Sequence, residues 1–81
     1  MIQVSLWGSL RAAVGGRSRV EAEGSDVAGL LADLAERYPG LRPQIARGVA
    51  VSIDGVVHNR SRVAPIADDA EVVLLPRIEG G

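Results

Sequence analysis

Apolar and polar residues alternate along this chain with two different periods, and the changes of period mark out its elements. Ile2, Val4 and Leu6 alternate with Gln3, Ser5 and Trp7, a period of two that predicts a strand. Arg11-Ala12-Ala13-Val14 then leads to Gly15-Gly16, a turn signal. Residues 17–23 alternate again, with Val20 and Ala22 set against Arg19, Glu21 and Glu23, so the first two strands form a hairpin-like pair with a long connection. After Gly24-Ser25-Asp26 the period becomes helical. Val27, Leu30, Leu31, Leu34, Ala35 and Tyr38 recur on one stripe, Ser25 or Asp26 supplies the cap, and Pro39-Gly40 ends the helix. Asp33 and Arg37 fall four apart on the polar face, in the favourable order for an ion pair.

Beyond the helix, residues 41–48 read as a loop with one short helical turn. Val49, Val51 and Ile53 restore the strand period, and Asp54-Gly55 returns the chain through Val56-Val57-His58 as a tight hairpin. Residues 59–67 carry no regular pattern. Asp68-Asp69 makes a turn, and a last strand over 71–75 is apolar on both sides, as expected of a central strand or of one whose outer face meets a partner. The order strand, strand, helix, strand, strand, strand predicts an α+β roll, a mixed four- to five-stranded sheet covered by one main helix. With the first and last strands adjacent in the middle, this is the β-grasp or ubiquitin-like fold. Residues 1–76 are expected to form the domain and 77–81 a flexible C-terminal tail.

Composition narrows what such a domain can do. The 81 residues make a single domain whose core must be aliphatic, since Phe is absent and Trp7 and Tyr38 are the only aromatics. A net charge of −1 gives no electrostatic footprint for nucleic acid or for an anionic membrane. No apolar run is long enough to span a bilayer, and the N-terminus lacks the basic start and apolar stretch of a signal peptide, so a cytoplasmic protein is expected. Cysteine is absent, which removes disulfides, thiolate metal sites and a thiol nucleophile. Lysine is absent too, so copies of this chain cannot be joined through lysine side chains.

The chemistry then falls on the last residues. Gly80-Gly81 follows an apolar strand end, a proline and three residues with nothing to pack on. Glycine lacks a Cβ and enters channels that exclude other residues. The unhindered Gly81 carboxylate is a group that a partner enzyme can activate as an acyl adenylate. Residues 77–81 reach at most about 16 Å when extended, enough to place that carboxylate in another protein's active site. Two terminal glycines arise by chance in about one chain in sixty-five of this composition, so the preceding residues must carry the argument.

Those residues resemble the MoaD/ThiS sulfur carriers over the whole chain, and among them the molybdopterin synthase small subunits. Val4–Arg11 is similar to that family's first strand, an aromatic followed by a Leu-Arg pair. Ile66–Pro76 is similar to its loop, acidic turn, Glu-Val and apolar strand closed by a proline, and Gly80-Gly81 matches its functional terminus. The family often has a second proline where Arg77 stands and a small residue where Glu79 stands, two departures that bear on which partner reads the tail.

The resemblance implies a cycle run by partners. A ubiquitin-activating-like adenylyltransferase uses ATP on Gly81, a sulfur donor converts the adenylate to a thiocarboxylate, and the sulfur passes to a substrate held by the molybdopterin synthase large subunit or an equivalent acceptor. The chain is then no catalyst alone but the sulfur-donating subunit of a sulfurtransferase, with no cofactor bound permanently. Carriers for thiamine, cysteine or natural-product biosynthesis, and a ubiquitin-like protein modifier, are the alternatives. The tail residues Pro76, Arg77, Ile78, Glu79 and Gly80 are expected to meet the partner. The sheet face away from the helix should hold it, with Val73 or Leu75 at the apolar centre and Arg11 and Arg77 as polar rim. Trp7 alternates with the core side of the first strand and is left open between the core and the sheet face that a partner covers.

The other reactive-looking residues read as structure. His58 has no second His or Cys for a metal and is expected to be an exposed structural residue. Asp68-Asp69 belongs to a turn. Gly15-Gly16 does not sit in a phosphate-loop motif, so the phosphate chemistry belongs to the partner.

Overall fold

Ile2, Val4 and Leu6 point to one side and are fully buried, so the strand they form, β1 (Ile2–Leu6), has a core face and an open face set by parity. The computed structural model describes residues 1–59 and 61–77. β2 (Arg19–Ala22) runs antiparallel to β1 with Val20 opposite Val4. The connection between them is more than the turn that Gly15-Gly16 signals. It folds into two 3-10 turns, Gly8–Leu10 and Ala12–Val14, because Leu10 and Val14 reach the core and are buried.

Helix α1 (Val27–Arg37) crosses the core face of the sheet. Of the two possible caps, Asp26 is the one used: its Oδ1 accepts from the Gly29 N–H at 2.8 Å. The other early amides are satisfied from a distance. Val27 N donates to Ala64 O at 3.1 Å and Ala28 N to Arg62 O at 2.9 Å. The patternless stretch 59–67 thus has a structural task, to supply carbonyls to the helix amides that have no partner within the helix. Val27, Leu30, Leu31 and Leu34 are buried, while Ala35 and Tyr38 are partly covered at the stripe's edge. The expected ion pair forms, with Arg37 Nε 2.6 Å from Asp33 Oδ2.

Where a loop with one short helical turn was expected, the chain forms a 3-10 turn, Pro39–Leu41, and a six-residue helix, α2 (Arg42–Arg47). The helical pattern is hidden in sequence because only Leu41 is buried and Ile45 half-covered, too few positions to show a period. Pro43, in the first turn of α2, presets the backbone there.

β3 (Val49–Ile53) and β4 (Val56–His58) are joined by Asp54 and Gly55 at φ 50° and 86°, the two left-handed residues of a type I′ turn. β5 (Val72–Pro76) lies between β1 and β3, parallel to the first and antiparallel to the second. The sheet order is therefore β2-β1-β5-β3-β4, with the first and last strands adjacent in the middle. This is the β-grasp fold. Its core is aliphatic, and among the described residues no polar side chain is buried.

Candidate functional site

Because β5 is central, both of its faces are occupied. Val72 and Leu74 point into the core, and Val73 and Leu75 point to the open face, where both are half-buried. The pairing register carries this apolar character sideways. Val73 stands opposite Ser5 on one side and Ser52 on the other, and Ser52 stands opposite Val57. One row nearer the end of β5, Leu75 stands opposite Ala50, and Trp7 follows Leu6 just beyond the β1–β5 ladder, with its amide donating to Leu74 O at 3.2 Å.

These side chains wall a groove of about 440 Å³ lined by Trp7, Ala50, Val57, Asn59, Leu75 and Pro76. Ala50 forms its floor and is 3% exposed, whereas Trp7 and Val57 at its walls are 57% and 51% exposed. Apolar side chains left open beside one another mark a surface awaiting a partner, and a solvent-facing Trp is the residue type that most often anchors one. The parity of β1 thus resolves the position of Trp7: it lies on the open face and outside the core.

The groove sits at the end of β5 that leads into the tail, since Pro76 is both its rim and the last residue of the strand. Ile78, Glu79, Gly80 and Gly81 lie outside the described residues.

The two arginines expected as the polar rim are placed differently. Arg11 stays near the end of β1, its Nε donating to Leu6 O at 3.0 Å, but it does not line the groove. Arg77 turns toward the side of the sheet that α1 covers. Its guanidinium lies against Gly48 and lines a cleft with Val27, Leu31, His58 and Arg62. His58 is accordingly half-buried in that cleft and not an exposed residue, because the short β4 turns it toward α1. Asp68 and Asp69 form the expected turn, closed by Ala70 N donating to Ala67 O at 3.0 Å. No group of three or more His, Cys, Asp or Glu side chains able to hold a metal occurs among the described residues.

Sequence reasoning missed Ala50, Val57 and Asn59. Their signal was present but indirect. Val49-Ala50-Val51 is apolar without a break, which marks a strand covered on both faces, and Val56-Val57 is apolar on both sides of a short edge strand. Only the β3–β5 register, with Ala50 opposite Leu75, turns those hints into one surface.

Comparison with known proteins agrees with this architecture. CysO of Mycobacterium tuberculosis, described as an antigen, superimposes with a TM-score of 0.80 at 24% identity, covering 96% of this chain and 100% of that one. Small archaeal modifier protein 1 of Methanosarcina acetivorans gives 0.80 at 24% identity, covering 99% and 95%. A chain of the Amycolatopsis orientalis BexX/CysO complex gives 0.76 at 24% identity, covering all of both chains. At these identities the likeness concerns the fold alone. No curated protein matches the sequence. The ThiS family matches residues 4–81, the first strand through Gly80-Gly81, and the chain therefore belongs to the ThiS family of ubiquitin-like sulfur carriers.

Proposed function

We propose that this protein carries sulfur as a thiocarboxylate on Gly81, with residues 1–76 as the body that partners hold and residues 77–81 as the arm that enters their active sites. The observation that supports this reading most directly is the family match running through Gly80-Gly81, on a chain with neither Cys nor Lys to offer another attachment point. In the first step the Gly81 carboxylate attacks the α-phosphorus of ATP bound by an adenylyltransferase, and pyrophosphate leaves. A sulfur nucleophile at the sulfide oxidation level then displaces AMP. At the acceptor the thiocarboxylate sulfur displaces an oxygen leaving group from the substrate to give a thioester, and water then cleaves the acyl–sulfur bond, leaving the sulfur on the substrate as a thiol and restoring the Gly81 carboxylate. The chain supplies no general base for these steps. It supplies an unhindered acyl group and a surface that aims it.

The acceptor in this reading is the large subunit of molybdopterin synthase, on the strength of the resemblance of Ile66–Pro76 and the Gly80-Gly81 terminus to that family branch. Arg77 and Glu79 favour a second reading, a carrier for cysteine or another sulfur-containing product, or a protein modifier. They replace a proline and a small residue in the tail, and the structures that share the fold include proteins named CysO and small archaeal modifier protein. Intact mass after co-expression with an adenylating enzyme and a sulfur donor tests the proposal. A gain of about 16 Da, one oxygen replaced by sulfur, is the expected result. An unchanged mass under conditions that load a known carrier overturns it, and a covalent adduct with another protein selects the modifier.

A further inference from the structure

Gly48 precedes β3 with φ at 113°, a backbone conformation that side-chain-bearing residues rarely adopt. The space where its Cβ would stand is taken by the side chain of Arg77, whose Cδ lies 3.0 Å and Nη1 2.8 Å from that point. Opposite, Pro76 pairs with Val49, so the root of the tail is seated on the start of β3. Two clefts meet there. One, of about 120 Å³, has an apolar floor and is edged by His58, Ser61, Arg62 and Arg77. The other, of about 520 Å³, is lined by Gln44, Arg47, Gly48, Pro76 and Arg77. Among the described residues neither cleft has an Asp or Glu in its lining. The chain as a whole carries a net charge of −1. Arg77 therefore lines both clefts, beside Arg62 in one and Arg47 in the other, on a molecule of net negative charge, and it directly follows β5.

Resting on the carrier reading above, we propose that the Arg47–Arg62–Arg77 corner is a docking surface for an acidic segment of the adenylating enzyme. Such a surface would act separately from the apolar groove on the open face. Guanidiniums form paired hydrogen bonds to carboxylates and stay charged at every working pH. Arg77 directly precedes residues 78–81, so carboxylates on a protein that draws in those residues would be steered to the tail's root. Complementary rim charges of this kind act on association and are screened by salt.

The test is the adenylation rate, followed by ATP–pyrophosphate exchange, as a function of carrier concentration and of salt. Arg47→Glu and Arg62→Glu are compared with Arg17→Glu, which makes the same charge change at an arginine stacked over the Tyr38 ring. Arg47→Glu and Arg62→Glu are each expected to raise KM about two- to fivefold and to flatten its salt dependence, with Arg17→Glu like wild type. Circular dichroism and thermal midpoints show that each variant folds. Wild-type adenylation with all three variants unchanged, or with all three impaired alike, overturns the docking inference and leaves the carrier reading standing. Absence of exchange with wild type overturns the carrier reading, and this inference with it.

Discussion

Replacing Leu34 with Ala tests the division of the sheet into a core face and an open face. Leu34 is fully buried on α1, among the aliphatic side chains that fill the space between that helix and the sheet. Truncation removes buried methyl groups and leaves a cavity that a close-packed core closes only in part. The expected loss is about 2–5 kcal/mol. A domain of this size has a total stability on the order of 4–12 kcal/mol, so the variant spends a large share of it. Each kcal/mol shifts the midpoint of a domain this small by about 4–8 °C. The paired variant is Leu75→Ala. Leu75 is half-buried on the open face with only the groove beside it, and its loss should cost roughly 1 kcal/mol or less. Urea denaturation of both variants, followed by circular dichroism, gives the two values directly. A Leu34→Ala cost below about 0.5 kcal/mol, or equal costs at the two positions, would refute the assignment of faces.

Leu75→Asp places a charge in the apolar groove without entering the core, so it should fold with a near-normal midpoint yet weaken binding to the acceptor enzyme by tenfold or more, at about 1.4 kcal/mol per decade. Titration calorimetry showing wild-type affinity would move the interface elsewhere. A pH dependence is expected from Asp33, whose carboxyl is held below its ordinary value chiefly by the Glu23 N–H that donates to it at 2.7 Å. Partial desolvation opposes this, and the Arg37 guanidinium reinforces it. A lowered folded-state pKa means stability that is present above the unfolded value of about 3.8 and lost as pH falls through the folded one. The midpoint gap between wild type and Asp33→Asn should therefore be widest near neutral pH and close in acid; a gap constant from pH 7 to below the ordinary carboxylate range would contradict it.

How far the sequence could be read depended on how local each cause was. The strand of Ile2, Val4 and Leu6, the stripe of α1 and the Asp54-Gly55 hairpin are set by neighbours within a few residues, and all three appear where the pattern places them. The adjacency of β1 and β5 was legible because Val72–Leu75 is apolar on both faces, as a central strand is. Leu10, Val14 and Leu41 were not legible as core. None falls on a helical or strand period of its own, and only tertiary contact makes its surroundings helical. The site divides the same way. Val73, Leu75 and Trp7 share a face by parity, but Arg77, expected at the polar rim of that face, lies elsewhere. Beyond Pro76 the ladder has ended, and the space over Gly48, left by a missing Cβ, draws the side chain to the other side. A vacancy of that kind depends on two segments nearly thirty residues apart, so no local pattern announces it.

The central claim is that Gly81 is the reacting residue and the rest of the chain its holder. Deleting Gly81 and measuring ATP–pyrophosphate exchange with the adenylating enzyme tests this most directly. The account predicts no exchange above background, with a thermal midpoint equal to wild type because the core is complete without the tail. Exchange at the wild-type rate from the deleted chain would contradict it.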